Sequence, residues 1–215
     1  MKSFVWLVAT LVFLSCGTAR GDVIYDLFFR LPGLGDGLDS NFNVSPGQTI
    51  TGVQAIVRET VTGVSASALA AANVNGFGIN LSVVGSDGST GSKTTNTTGG
   101  FSALSDGDST FGYSAFVGGI VANDLGGRVR EFSLGTLNFM APTTGSTTFV
   151  LVDPNAGLPG DITTFAPGPG ALGLESVGAF RTRSTTLTAV PEPNTLAALI
   201  VTGTFAFTRR RRLPA

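Results

Sequence analysis

Acidic and amide side chains in glycine-rich loops are the residues of this sequence best suited to chemistry. Oxygen atoms of Asp and Asn in loops are the ligands that calcium prefers. None of these loops has the full spacing of a calcium-binding loop, and Asp, Asn and Gly are also the residues that make turns. We therefore predict no cofactor and no metal site, and keep calcium only as a weaker alternative. Its candidate ligands are Asp36, Asp39 and Asn41 in GDGLDSN, Asp106 and Asp108 in SDGDS, and Asp153 and Asn155 in DPN.

Most catalytic chemistry is excluded by composition. The chain has no His and a single Cys, Cys16, so it lacks the commonest general base and has no thiol beyond residue 16. Between Asp22 and Val190 it carries seven cations and thirteen acids, a net charge of −6. Such an acidic surface does not suit nucleic acid, whose phosphates attract Lys and Arg. The sequence predicts a protein that is not an enzyme, with no catalytic residues and no nucleic-acid partner.

The N-terminal segment has the three parts of a secretory signal peptide. Lys2 supplies the positive charge, an apolar core of FVWLVATLVFL follows, and small residues precede Gly21. Cleavage is expected after Ala19, or otherwise after Gly21. An uncleaved anchor is the alternative, but the apolar run is short for a membrane span, which needs about 20 residues. We assign residues 1–21 to a signal helix recognised by the Sec machinery and signal peptidase.

The C-terminal segment reads VPEPNTLAALIVTGTFAFTRRRRLPA. Its prolines fix an extended chain. Residues 195–208 are uncharged and, as a helix rising about 1.5 Å per residue, would be a short transmembrane segment. Four consecutive arginines then resist crossing and remain on the cytoplasmic side. A buried terminal strand or helix with a basic end is the alternative.

This order of motif, apolar span and arginines resembles the PEP-CTERM sorting signal of Gram-negative bacteria. The resemblance covers residues 190–215 and implies that the chain is the substrate of an exosortase, a membrane enzyme that processes the tail near the motif. It assigns the sorting motif to Val190, Pro191, Glu192 and Pro193, and the membrane-stop cluster to Arg209, Arg210, Arg211 and Arg212. Asn194 stands where the family often has Ser.

The middle of the chain, residues 22–189, favours strands over helices. Gly, Thr, Ser and Asn are poor helix formers and suit short strands joined by turns. A slip in the alternation at Gly135-Thr136 suggests a bulge, and the alanines of Ser65–Ala72 suit a short helix or a loop. The pattern predicts an all-β, antiparallel β-sandwich. Its expected strands are Val23–Phe29, Thr49–Val57, Phe77–Val84, Phe111–Val117, Glu131–Phe139, Thr147–Val152 and Ser184–Val190.

Three segments of this region resemble the cohesin-like and carbohydrate-binding-module sandwiches. They are NVSPGQTITGVQAIVRE, GFGINLSVVGSDG and SLGTLNFMAPTTGSTTFVLVD. The resemblance implies a cohesin-like jelly roll and leaves its ligand open, since a fold does not determine a function.

Together, these features predict an exported, non-enzymatic protein with a structural or adhesive role. It would be anchored in the inner membrane in transit and then delivered to the cell surface or the extracellular matrix. A module that binds a surface polysaccharide or a protein, and a permanently anchored single-pass membrane protein, are the two alternatives.

Overall fold

The computed structural model describes residues 22–96, 102–103, 110–114, 119–154, 162–165 and 171–191. They form two β-sheets packed face to face. The signal segment, the Asp106/Asp108 loop, Asn155 and all of the tail beyond Pro191 lie outside the described residues, so the predictions made for them stay predictions. Among the described helices, none has the length and apolar character needed to cross a membrane.

The first sheet contains seven described strands. They are β1 (Val23–Leu31), β2 (Gly35–Asp36), β4 (Thr49–Val61), β6 (Ser89–Thr95), β9 (Asn123–Gly126), β10 (Val129–Met140) and β14 (Ala179–Thr182). Their order is β14-β1-β4-β10-β6, with β2 paired to β1 and β9 paired to β10.

The second sheet contains eight described strands. They are β3 (Ser40–Val44), β5 (Val74–Gly85), β7 (Ser102–Ala103), β8 (Thr110–Ser114), β11 (Ser146–Val152), β12 (Ile162–Phe165), β13 (Ala171–Gly173) and β15 (Ser184–Ala189). Their order is β13-β12-β5-β11-β15-β3, with β8 paired to β5 and β7 to β8. The all-β, two-sheet prediction is confirmed, and each of the seven predicted segments contributes to a strand.

The purely antiparallel arrangement predicted from the sequence needs correction. The pairs β1–β14 and β3–β15 are parallel. Both pairs join segments far apart in the sequence, so no tight hairpin dictates their direction. The last passage of the described chain from the first sheet to the second is at Arg183, which lies between β14 and β15.

Aromatic rings join the two sheets. Phe139 of β10 stacks on Phe149 of β11 with ring centroids 3.9 Å apart, and Phe29 of β1 meets Phe139 edge-on at 5.0 Å. All three side chains are fully buried. Alternation of side chains along each strand places these rings inside. An edge-on contact such as that of Phe29 with Phe139 adds about 1 kcal/mol beyond the area it buries.

The bulge expected near Gly135 is present in β10. Its register against β4 shifts between Ser133 and Gly135, and Gly135 has a φ of +156°. A Cβ atom at this position would clash with the backbone of Thr94 and Thr95 on β6. Glycine is therefore required by both the backbone conformation and the close approach of the neighbouring strand.

The helix candidate at Ser65–Ala72 is a single turn, α1 (Ala68–Ala71), capped by the Ser67 hydroxyl. The turn is held by Glu59 of β4, a fully buried carboxylate. Its Oε2 accepts hydrogen bonds from the backbone N–H of Ala68 at 3.0 Å and of Leu69 at 3.3 Å, and Oε1 accepts one from Ser67 Oγ.

Tyr25 of β1 completes the surroundings of this carboxylate. Its hydroxyl donates to Glu59 Oε2 at 3.0 Å, and its ring stacks on Phe180 of β14. Burial, followed by the negative charge of Glu59 and the hydrogen bond to it, raises the pKa of Tyr25. The phenol therefore remains a donor, as a buried carboxylate needs.

Replacing Glu59 should destabilise the sandwich more than replacing Tyr25. Glu59→Gln places an amide N–H₂ among donors, and we expect it to lower the free energy of unfolding by about 3 kcal/mol. Tyr25→Phe removes one of four donors and should lower it by about 1.5 kcal/mol. Urea denaturation followed by circular dichroism measures both values. Equal losses in the two variants would contradict the central place given to the carboxylate.

Candidate binding surface

The outer face of the first sheet carries a small apolar cluster outside the main core. Phe28 of β1 and Ile56 of β4 point away from the sandwich interior, yet Phe28 is fully buried and Ile56 is 3% exposed. Two guanidinium groups cover the Phe28 ring: that of Arg58 lies 4.7 Å and that of Arg30 5.9 Å from its centroid. The arginine stems and planes thus shield apolar area that would otherwise face solvent.

Two carboxylates hold these arginines in place. Arg30 Nε donates to Asp36 Oδ1 at 2.6 Å, and Nη1 donates to Glu131 Oε1 at 2.7 Å. Arg58 Nη2 donates to Asp36 Oδ2 at 2.6 Å and to Glu131 Oε2 at 3.1 Å. We call these four residues, with Phe28 beneath them, the arginine roof. Its two positive and two negative charges balance, so it serves packing and leaves no uncompensated charge for a ligand.

The acids of the arginine roof are ionised at neutral pH. Burial alone would raise the pKa of Asp36 and of Glu131, but hydrogen bonds from Arg30 and Arg58 outweigh it and keep both values below the usual range. The calcium candidate Asp36 is therefore engaged by two guanidinium groups, beside which a cation would be repelled.

The second calcium candidate of the same loop, Asp39, is also engaged by an arginine. Arg183 Nη1 donates to Asp39 Oδ2 and Nε donates to Asp26 Oδ1, each at 2.8 Å. The backbone N–H of Ser184 donates to Asp39 Oδ1 at 2.9 Å. Asp39 thus helps to hold Arg183 and Ser184, where the chain passes from β14 to β15.

The remaining described candidates do not converge. Asp153 follows β11, and Asn41 lies on β3, where its Oδ1 accepts a hydrogen bond from Thr188 at 2.8 Å. Within the described ranges, no group of three or more acidic, His or Cys side chains could hold a metal ion. Of the sorting motif, only Val190 and Pro191 are described: the N–H of Val190 donates to the carbonyl of Val44, and Pro191 is exposed.

Charge divides the two sheets in a way that residue-by-residue inspection of the sequence missed. The eight described strands of the second sheet contain no Asp, Glu, Lys or Arg. Strands of the first sheet contain ten: Asp26, Arg30, Asp36, Arg58, Glu59, Lys93, Asp124, Arg130, Glu131 and Arg181. Once strands are assigned to sheets, this separation can be read from the sequence.

The outer surface of the second sheet is consequently neutral and made of short side chains. Alternation along four adjacent strands turns thirteen positions outward, and all are half-buried or exposed. We call this surface the uncharged face. Its positions are Gly78, Asn80, Ser82 and Val84 on β5; Ser146, Thr148, Val150 and Val152 on β11; Ser184, Thr186 and Thr188 on β15; and Asn41 and Asn43 on β3.

Hydroxyl groups cross-link the uncharged face. Thr148 and Thr186, opposite each other on β11 and β15, have their Oγ1 atoms 2.9 Å apart. Ser146 Oγ lies at the same distance from Thr188 Oγ1, which donates onward to Asn41. These bonds fix side-chain rotamers before any ligand arrives, which lowers the entropy lost on binding.

The described clefts are small and polar. One of about 260 Å³ lies beside the arginine roof and is lined by Arg30, Gln54, Ile56, Asn123, Glu131, Phe132 and Ser133. Another of about 320 Å³ lies at the β1–β14 edge. Sites for small organic ligands usually measure about 300 to 1,000 Å³ and are mostly apolar, so the volumes of both clefts lie near the lower end of that range. The broad uncharged face is therefore the better candidate for binding.

Comparison with known proteins gives similarity in structure only. The chain matches no family model and no curated protein. It is similar to CaCohA2 from Clostridium acetobutylicum in solution (TM-score 0.39, 11% identity, covering 79% of this chain and 91% of that one). For a crystal structure of CaCohA2 with CaDoc0917, the TM-score is 0.37 and the sequence identity 13%, over 78% of this chain and 99% of that one. The chain is also similar to the sixth cohesin of scaffoldin B from Acetivibrio cellulolyticus, solved in complex with a Cel5 dockerin mutant. The TM-score is 0.33 and the sequence identity 14%, over 79% of this chain and 99% of that one.

Loss of the Glu131 charge should change how stability depends on pH. Because the folded pKa values of Asp36 and Glu131 are depressed, their contribution is complete above the ordinary carboxyl value of about 4 and is lost as pH falls through the depressed values. Glu131→Gln should cost about 2 kcal/mol of unfolding free energy at pH 7, and the difference from wild type should shrink below about pH 4.

Denaturant titrations at several pH values measure this difference. Asp124→Asn is the matched control, because Asp124 pairs with Arg130 at an exposed position and should cost only about 0.5 kcal/mol. A Glu131→Gln deficit that stays constant from neutral to strongly acidic pH would refute an ionic origin.

Proposed function

We propose that this chain is an exported, non-catalytic module that binds a partner protein through the uncharged face. The observation that carries the proposal is the segregation of charge: the eight described strands of the second sheet carry no charged residue, although residues 22–190 have a net charge of −6. Covering this face with a partner desolvates no formal charge, the costliest kind of group to remove from water.

The shape of the uncharged face favours a macromolecule. Four strands about 4.8 Å apart present a broad surface, and neither of the two described clefts lies on it. Short Ser, Thr, Val and Asn side chains lose little conformational entropy on burial. Their methyl groups and hydroxyls offer apolar contact and hydrogen bonds together, the combination found in protein–protein interfaces.

The lack of aromatic side chains on the uncharged face favours a partner protein over a polysaccharide. None of its thirteen positions carries an aromatic ring on which a sugar could stack. A polysaccharide partner is the second candidate, supported by the hydroxyl pairs at Thr148–Thr186 and Ser146–Thr188.

The two ends of the sequence support the cellular part of the proposal. The signal at residues 1–21 would direct export through Sec, and the tail at 190–215 would hold the chain in the inner membrane until an exosortase acts. The sandwich would then work at the cell surface or in the extracellular matrix.

A photo-cross-linking amino acid in place of Thr148 should capture a protein partner in cells that naturally make this chain. The same replacement at Thr60, on the outer face of the first sheet, is the matched control. We expect mass spectrometry to find one protein cross-linked from position 148, absent from position 60 and lost when Thr186→Lys places a charge beside it.

Three outcomes would overturn the protein-binding proposal. They are no cross-linked protein from position 148, equal cross-linking from positions 148 and 60, and survival of the cross-link in the Thr186→Lys variant. A cross-link to carbohydrate alone would establish the polysaccharide alternative. Thermal unfolding of the Thr186→Lys variant verifies that the fold is retained.

Processing of the tail is tested separately. Mass spectrometry of the protein recovered from the same cells should show a C-terminus close to the motif at 190–193. Replacement of Pro191, Glu192 and Pro193 by Ala should leave the tail attached. A wild-type protein that still ends at Ala215 in cells with an active exosortase would contradict sorting through this signal.

A further inference from the structure

The β3 strand has one paired edge and one open edge. It lies at the end of the second sheet, parallel to β15, and within the described residues no strand pairs with its far side. The carbonyl of Val44 accepts a hydrogen bond from Val190, so the backbone groups of Val44 point toward β15. Since these groups alternate in direction along a strand, the N–H and C=O of Asn41 and Asn43 point to the open edge.

The sequence of β3 also lacks the residues that usually protect an open edge. Natural proteins block open edges with Lys, Pro, inward-facing charges or bulges. The five residues of β3, Ser-Asn-Phe-Asn-Val, include none of these, and their pairing with β15 runs without a bulge. The two outermost strands of the first-sheet path each carry a cation, Lys93 on β6 and Arg181 on β14.

We infer that β3 pairs with the β3 strand of a second copy of this chain, antiparallel and about a twofold axis at Phe42. This register places Asn41 opposite Asn43 of the other copy, and the reverse. Both pairs are then hydrogen-bonded pairs, giving four backbone hydrogen bonds from groups that already point outward. The pattern is self-complementary, as a twofold interface requires.

Side chains fit the same arrangement. Phe42 of one copy meets Phe42 of the other in the closer, non-hydrogen-bonded pair, on the side that faces the core. Phe42 is only partly buried and packs against the core cluster, so the contact covers its remaining apolar area. Asn41 and Asn43 lie on the outer side, where paired amides can bond to each other.

Electrostatics permits this approach despite the net charge of each copy. The strand itself is neutral, and the nearest acid along the chain, Asp39, is paired with Arg183 and bonded to Ser184. Pairing through β3 therefore brings no unpaired like charges from these residues together.

The consequence is a larger binding surface. Because β3 borders the uncharged face, the faces of the two copies become continuous across the twofold axis, with a sheet path of twelve strands. Dimerisation itself does not depend on the partner proposed above, so its test can fail or succeed independently.

Sedimentation equilibrium of the full chain in a mild detergent measures the association. We expect the wild type to sediment with twice the monomer mass. Asn43→Pro removes an N–H that points to the open edge and should give a monomer, whereas the matched Asn43→Ala variant keeps that N–H and should remain dimeric. Circular dichroism of both variants verifies folding.

A charge exchange tests the proposed register. A copy with Asn41→Lys and Asn43→Lys, and another with Asn41→Asp and Asn43→Asp, should each be monomeric alone, because like charges then lie opposite each other. Mixed, they should form a heterodimer, which a misfolded variant could not do. A monomeric wild type, or a dimer that survives both Asn43→Pro and the double Lys variant, would overturn the inference.

Discussion

The stacking of Phe139 on Phe149 is the contact on which the rest of this sandwich depends. It joins the central strands β10 and β11 of opposite sheets, and Phe29 extends it to β1. A sheet buries one face only if another layer covers it. Because aromatic and branched side chains fill the inner faces, a charged side chain can be fully buried between the sheets only if it is fully paired. Glu59 is buried in this way, and four hydrogen-bond donors surround it.

The outer faces of the two sheets differ in the side chains that they present to solvent. On the first sheet, the arginine roof lies over Phe28 and Ile56, so charged side chains there pack against apolar ones. On the second, hydroxyl and methyl groups of Thr and Ser face solvent directly. The described strands of the second sheet carry no charge, so they have less electrostatic protection against association. The neutrality of the uncharged face favours a role in binding, because a face that contacts only water could carry Lys or Glu at little energetic cost.

Strands with strong alternation were predictable from the sequence, and short polar ones were not. Val23–Leu31 and Thr49–Val61 show clear apolar patterning, and the slip at Gly135 foretold the bulge. In contrast, β3, β6 and β9 consist mostly of Ser, Asn, Thr, Gly and Asp, which also make turns. Their pairing is determined by long-range contacts that local propensity does not contain. The same holds for Asp36 and Asp39: their loop suggested calcium, and only the fold brings Arg30, Arg58 and Arg183 to them.

Arg183 shows how one residue links these features. It lies where the chain leaves β14 in the first sheet and enters β15 in the second. Its guanidinium binds Asp26 of the first sheet and Asp39, the residue before β3, so the crossing and the edge strand are held together. Val190, directly after β15, donates its backbone N–H to the carbonyl of Val44, so the same crossing also determines where the chain leaves the second sheet. Arg183, the single residue between β14 and β15, thus helps to position both the open edge at β3 and the point where the chain leaves the second sheet.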